Sequence, residues 1–377
     1  MKTVLTLFGT RPEVIKLAPV VWAVERRAAT WRALNVSSSQ HADLLRPLAG
    51  QLAVRIDHDL AVATDAPSPA GVLGRVVSAL TDLLAIERPD VVIVQGDTMT
   101  ALAGALAGFY ARIPVVHVEA GLRTGDRHSP FPEELNRVLI TRLADLHCAA
   151  TPRSVSILAD EGVAPERILL TGNTVVESLE HIRARATPSR AMQALLRELA
   201  GRRILALTTH RRENFGAVMS SHLRAIRQFV QRHPDVAVVF PVHPNPAVRA
   251  VAQQELGDVP GVRLVAPLDY ADFVHLLSQA WVIASDSGGV QEEAPSLGKP
   301  VIILRDTTER PEVVACGVGR LVGHDGARLS ALLEEIAGDD AWVSFARTVR
   351  NPFGDGRSGE RVAQGLERML VGAEALQ

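Results

Sequence analysis

The stretch Val91–Arg137, VVIVQGDTMTALAGALAGFYARIPVVHVEAGLRTGDRHSPFPEELNR, crowds acids, histidines and arginines around two short apolar runs. The runs Val91–Val94 and Val115–Val118 read as strands, and each stops at a carboxylate: Asp97 after the first, Glu119 after the second. In an open parallel sheet the carboxyl ends of the strands open onto the ligand crevice. Charge placed there costs folding energy and serves chemistry. The pattern marks an enzyme.

The same alternation of short β-branched runs and longer helical patterns extends to both ends of the chain, as in α/β units with parallel strands. In the first half, strands are expected at Thr3–Phe8, Leu34–Ser38, Asp90–Gln95, Pro114–Glu119, Leu146–Ala149 and Arg167–Thr171. In the second they are expected at Arg203–Thr208, Val236–Val242, Val262–Ala266, Trp281–Ser285, Val301–Leu304 and Gly319–Val322. Their unbroken apolar character predicts burial on both faces. Amphipathic stretches such as Pro69–Arg88, Met219–His233 and Leu329–Ile336 lie between them. Each half has enough strands for its own doubly wound sheet, and a chain of 377 residues is long for one core. The domain junction is expected in Gly172–Pro188. The closing segment Asn351–Gln377 could stay with the second domain or cross back to the first.

Hydrophobic residues make up 47% and charged residues 22%, an ordinary globular balance. A formal net charge of −2 gives no electrostatic basis for nucleic acid as a partner. Two cysteines, Cys148 and Cys316, cannot form a disulfide framework or a cysteine-rich zinc site and are expected to be buried and inert. The opening apolar run is strand-sized and leads into Gly-Thr-Arg-Pro rather than a cleavage site. No uncharged apolar stretch approaches the roughly 18 residues of a bilayer span. A cytoplasmic protein without membrane partners is expected.

Gly9-Thr10-Arg11-Pro12-Glu13 follows the first strand and opens a helix. Thr10 and Glu13 have capping-box spacing, and Pro12 suits a first helical turn. Arg11 and Lys16 place two cations near that helix N-terminus, where charge and backbone N–H groups can hold a diphosphate together. The full Gly-x-Gly-x-x-Gly fingerprint is lacking, so no dinucleotide cofactor is supported. Asp286-Ser287-Gly288-Gly289-Val290-Gln291-Glu292-Glu293 follows the strand Trp281–Ser285. Its glycines permit close backbone approach to phosphate, Ser287 is a natural N-cap, and the acids a turn later suit ribose hydroxyls. A surface helix with solvated acids is the alternative. His210-Arg211-Arg212-Glu213-Asn214, after the strand ending at Thr208, reads as an anion site or as a solvated charge run. His117-x-Glu119 lacks the Cys-x-x-Cys a zinc deaminase needs, and no His-Glu-x-x-His exists, so no metal is expected. Glu133 and Arg137, four apart on one helical face, have the order that favours an ion pair.

Together these motifs resemble the bacterial non-hydrolysing UDP-N-acetylglucosamine 2-epimerase family, of the two-domain glycosyltransferase-B type. The matching segments are GTRPEVIKLAPV (Gly9–Val20), GDTMTALAGALA (Gly96–Ala107), HVEAGLRTGDRHSPFPEELNR (His117–Arg137), TGNTVVE (Thr171–Glu177), HRRENFG (His210–Gly216), PVHPNPAVR (Pro241–Arg249) and DSGGVQEEAPSLGKPVIILRDTTERPE (Asp286–Glu312). The resemblance implies an α/β chain with two Rossmann-like doubly wound domains and an active site in the interdomain cleft. It implies domains of 1–172 plus a returning C-terminal helix 355–377, and of 173–354. Such enzymes interconvert UDP-GlcNAc and UDP-ManNAc by anti elimination of UDP, through 2-acetamidoglucal, followed by re-addition. The ManNAc units supply cell-envelope polysaccharide, no cofactor is used, and a homodimer is implied.

By the same resemblance Asp97, Glu119 and Glu133 form the acid/base group, His210 assists the leaving group, and Arg137 holds Glu133. Arg11, Lys16, His210, Phe273, Ser287, Gly288, Gly289 and Glu293 match substrate-binding positions, the last at the ribose. Which carboxylate serves which face of C2 stays open. Rival readings are a hydrolysing 2-epimerase, releasing ManNAc and UDP, and a UDP-sugar glycosyltransferase of the same fold. The intact acids weigh against a regulator that has lost catalysis.

Many bacterial members bind a second UDP-GlcNAc as an activator through a glutamine-rich stretch. Gln40 and His41 match its beginning, and Glu134, Arg211 and His243 match further allosteric contacts. Asp43 stands where a glutamine is expected, and Thr64-Asp65-Ala66-Pro67-Ser68 replaces the later glutamine-containing segment. Initial rates should therefore rise hyperbolically with UDP-GlcNAc, showing weak or altered activation. Clear sigmoidicity would contradict this.

Overall fold

The computed structural model describes residues 1–38, 42–62, 68–209, 211 and 214–374. The chain forms two compact units, Met1–His181 with Phe353–Gln377, and Ile182–Pro352. In the first, the strands are β1 (Lys2–Phe8), β2 (Trp31–Ser37), β3 (His58–Asp59), β4 (Val91–Gln95), β5 (Val115–Ala120), β6 (Leu146–Ala149) and β7 (Ile168–Leu170). They form a parallel sheet of order β3-β2-β1-β4-β5-β6-β7. The second unit has β8 (Arg203–Thr208), β9 (Val236–Pro241), β10 (Val262–Val265), β11 (Val282–Ser285), β12 (Val301–Ile303) and β13 (Gly319–Leu321). Its parallel order is β10-β9-β8-β11-β12-β13. Each sheet reverses its winding once, between β1 and β4 and between β8 and β11. Ligands of doubly wound sheets bind at such switch points, outside the strand carboxyl ends.

Every strand expected from the sequence is present within a few residues, and the central strands are apolar runs sealed on both faces. Val91–Val94 and Val236–Phe240 are wholly buried, for example. At the sheet edges β7, β10 and β13 are only partly buried, contrary to the expected two-sided burial. The two-residue edge strand β3, His-Asp and half-buried, has no such run and is an addition.

In the first unit, Leu5, Leu7, Val92 and Val94 pack under Ala101 and Ala105 of the helix Met99–Tyr110. That helix lies close to the sheet. A Cβ on Gly104 would sit 2.6 Å from Val94 Cγ1 and 2.7 Å from Leu7 Cδ2. The helix Pro69–Glu87 has the length and mean hydropathy, 1.4, of a bilayer-crossing segment. It carries Arg75 and Asp82, and its Val72, Val76, Leu80, Leu83 and Leu84 are buried. The helix Ser358–Glu374 belongs to this unit and packs on the helix Arg11–Glu25. A Cβ on its Gly359 would lie 2.4 Å from the Pro19 carbonyl oxygen. In the second unit, Phe229, Phe240, Ile226, Val238 and Leu333 are fully buried in one cluster. Cys148 is buried, and burial pushes its thiol up to about 12; Cys316 is only half-buried, contrary to expectation.

Glu13 ties the switch point of the first unit together. Its Oε2 accepts the Gly9 N–H at 3.0 Å and the Thr10 N–H at 2.8 Å, and its Oε1 accepts the Thr98 hydroxyl at 2.6 Å. One carboxyl group thus joins the ends of β1 and β4. Complete burial outweighs these bonds and pushes Glu13 up to about 7. A carboxyl raised on folding contributes stability present below its unfolded value, near 4.5, and lost as pH rises through 7. The shift corresponds to about 3 kcal/mol. Urea unfolding of the wild type and Glu13→Gln should therefore diverge between pH 5 and 8, with the wild type losing ground by an amount of that order. Parallel pH profiles would contradict the buried-acid assignment.

Candidate active site

In the first unit, Glu119 stands at a break in β5. Its φ is +63°, in the left-handed region, and the β5–β6 register shifts between Val118 and Ala120. A bulge of this kind re-aims a side chain, and a non-glycine residue in this region costs of order 1–3 kcal/mol. The redirected carboxylate meets three donors. Lys16 Nζ and Gln95 Nε2 each bond one of its oxygens, and Asn173 Nδ2 donates to Oε1 at 3.0 Å. The Lys16–Glu119 pair is about nine-tenths buried. Lys16 is thus not a solvated cation but the partner of an acid, one turn beyond the half-buried Arg11 on the same helix.

Asp97 follows β4, just before Thr98, which caps the helix Met99–Tyr110 by accepting the Ala101 N–H at 3.0 Å. Its Oδ2 accepts from Arg137 Nε at 2.8 Å, and its carbonyl from Asn136 Nδ2 at 2.7 Å. Arg137 also donates to Glu134 Oε2 at 2.8 Å. Where the sequence leads us to expect Arg137 beside Glu133, its guanidinium bonds Asp97 and Glu134. The reason lies in the preceding loop. Glu134 Oε1 accepts the N–H groups of Thr124 and Gly125, both at 3.0 Å, which fixes that carboxylate over the helix face Arg137 shares. Glu134, matched to an allosteric contact, is buried in this network. Glu133 opens the helix Glu133–Leu143, and its Oε2 is buried without a hydrogen-bond partner among the described residues.

His117, two residues before Glu119, is completely buried, and its Nε2 lies 2.8 Å from the Gly96 carbonyl oxygen, which accepts. Burial drives it down to about 4, so the ring is neutral and steadies the turn carrying Asp97.

In the second unit the switch-point loops are joined by Asp286, which is fully buried. Its Oδ2 accepts from the Thr209 hydroxyl at 2.7 Å, the Arg211 N–H at 3.0 Å and Asn214 Nδ2 at 2.9 Å. Arg211 Nε donates to the Asp286 carbonyl at 3.1 Å, so the segment after β8 is tied to the helix Gly288–Leu297. Ser287 occupies the N-cap position, but its hydroxyl makes no capping bond. A Cβ on Gly288 would lie 2.6 Å from the Arg310 guanidinium and would displace that side-chain end; a Cβ on Gly289 would meet, among the described residues, only Ser287 Oγ, at 3.9 Å. Glu292 and Glu293 are not solvated acids. Arg310 Nε donates to Glu292 Oε1 at 2.6 Å, and the Tyr270 hydroxyl to Glu293 Oε1 at 2.8 Å. Phe273 is half-buried on the helix Tyr270–Gln279, and His243 is exposed after β9.

Gln40, His41 and His210 lie outside the described residues, as do Arg212, Glu213 and residues 63–67. Within the first unit the structure joins Lys16 with Glu119, and Asp97 with Arg137 and Glu134. Within the second it joins Arg211 to the strand end preceding Ser287–Gly289. Sequence reasoning passed over Gln95, Asn173, Asn136 and Tyr270. Gln95 had a signal: it is a polar side chain ending the apolar run VVIVQ, by the same rule that selected Asp97.

Acids and cations at two switch points fit the chemistry of a nucleotide sugar, and comparison with known proteins agrees. The family model for UDP-N-acetylglucosamine 2-epimerase matches residues 25–367. The UDP-N-acetylglucosamine 2-epimerase of Salmonella typhimurium is 42% identical over 98% of this chain and 99% of its own. The UDP-GlcNAc 2-epimerase from Neisseria meningitidis, solved with UDP-GlcNAc bound, superposes with a TM-score of 0.92 at 36% identity, covering 97% of this chain and 100% of that one. A UDP co-structure of the S. aureus protein MnaA gives 0.91 at 37% identity over 98% and 97% of the two chains. A match at this level, running through both units, makes the chain a member of the UDP-N-acetylglucosamine 2-epimerase family.

Proposed function

We propose that this protein interconverts UDP-GlcNAc and UDP-ManNAc by anti elimination of UDP and re-addition, without net hydrolysis. In the first half-reaction a base takes the C2 proton, the C1–O bond to diphosphate breaks, and C1=C2 forms, leaving 2-acetamidoglucal and UDP. In the second, an acid returns a proton to the opposite face of C2 and the diphosphate oxygen re-forms its bond to C1. Two carboxylate positions and a cationic diphosphate seat are therefore needed.

The observation that carries this reading is the set of three acids, Asp97, Glu119 and Glu133, at strand carboxyl ends and a helix start in one unit. They are not equivalent. Asp97 and Glu119 are each bonded to a cation, whereas Glu133 has a buried oxygen without a hydrogen-bond partner among the described residues. Glu133 is the one assigned to proton transfer at C2, with Glu119 or Asp97 serving the other face. Arg11, Lys16 and His210 would meet the diphosphate, Ser287, Gly288 and Gly289 would cradle it, Phe273 would contact the nucleotide, and Glu293 would take the ribose. Cytoplasmic work as a homodimer, supplying ManNAc units for cell-envelope polysaccharide, completes the reading.

Incubation with UDP-GlcNAc in D2O, followed by NMR, tests it. Deuterium should enter C2 of both epimers with no net release of UDP. Glu133→Gln should lower that exchange by at least about a hundredfold, the scale of a lost general base, while UDP binding persists. Accumulating free ManNAc and UDP would favour the hydrolysing rival. Unchanged exchange in Glu133→Gln would remove that residue from the proton-transfer role.

A further inference from the structure

Tyr270 is the first residue of the helix Tyr270–Gln279, whose N-cap Asp269 accepts the Asp272 N–H at 2.8 Å. Its ring is 4% exposed, and its hydroxyl donates to Glu293 Oε1 at 2.8 Å. Glu293 is itself buried, on the helix that begins at the Ser287–Gly289 turn. Burial, reinforced by the Glu293 charge, pushes the phenol well above its ordinary value, so the hydroxyl keeps its proton and stays a donor. An ionised carboxylate only accepts hydrogen bonds. The direction of this bond is therefore settled, and a rigid ring with one hydroxyl holds one carboxylate oxygen in place.

A vicinal diol offers two donors at fixed separation, and a carboxylate receives them well only if its plane is already set. We propose that Tyr270 is a positioning residue that orients Glu293 to accept the ribose hydroxyls of a uridine nucleotide. This rests on the reading of Glu293 as the ribose contact. Tyr270 touches Glu293 and need not touch the nucleotide, so its effect should be confined to ligands that carry the diol.

Calorimetric titration of UDP and 2′,3′-dideoxy-UDP into wild type, Tyr270→Phe, Glu293→Gln and the double variant tests the assignment. Tyr270→Phe should weaken UDP about tenfold, the scale of a hydrogen bond to a charged group. Its affinity for the dideoxy nucleotide should match that of the wild type within about twofold, and adding Tyr270→Phe to Glu293→Gln should cost little more. Equal losses on both nucleotides would mean a structural role and overturn the proposal. So would undiminished UDP affinity in Tyr270→Phe. Wild type that binds the two nucleotides equally would overturn the ribose contact itself. Wild type that binds neither would overturn the functional reading beneath it.

Discussion

The buried pair of Lys16 and Glu119 is the interaction on which the arrangement at the first unit's strand ends depends. A carboxylate and an ammonium taken out of water are tolerated only with close mutual contact and further hydrogen bonds. Gln95 and Asn173 supply those bonds, from the end of β4 and from the turn after β7. The backbone pays for this geometry with a left-handed residue inside a strand, at the register shift of β5. A regular strand would alternate side chains between the two faces of the sheet. The bulge instead turns Glu119 to the cation on the neighbouring helix, next to the switch point where Glu13 and Thr98 join β1 to β4. Removing either charge would leave the other buried without its counter-ion, a loss of several kcal/mol.

The second unit manages charge differently. Burial alone would raise Glu309, but its hydrogen bond to Arg305 and the charges of Arg310 and Arg211 outweigh burial and hold it at about 2. Arg310 fills the space left by Gly288 and pairs with Glu292. Asp286 holds Thr209, Arg211 and Asn214 with one carboxylate oxygen. The result is a rigid frame around a glycine turn, with its cations already balanced by acids. Charge preorganised in this way needs no rearrangement when an anion is bound or released.

Strands, their parallel winding and the acids at their ends were readable because burial on both faces writes long apolar runs, and charges stand out against them. Asp97 and Glu119 were found that way. The partners were harder to read. Glu133 and Glu134 are adjacent and chemically alike, and only the N–H groups of Thr124 and Gly125 decide which one Arg137 meets. Gly288 resembles a phosphate-contacting glycine, yet its missing Cβ makes room for an arginine that follows it by more than twenty residues in sequence. The left-handed turn at Glu119 has no signature in residue type, since glutamate has no preference for that conformation. Family resemblance named the acids but carried no information about that backbone.

The conformation of Glu119 is open to direct measurement through two truncations that both delete the carboxylate. In a regular strand, glycine is less stable than alanine by roughly 0.5–1 kcal/mol. At a φ of +63° the order reverses, because alanine keeps the Cβ clash and glycine relieves it. Urea unfolding should therefore show Glu119→Gly more stable than Glu119→Ala by about 1 kcal/mol. Alanine as the more stable of the two would show a regular strand at this position and contradict the account.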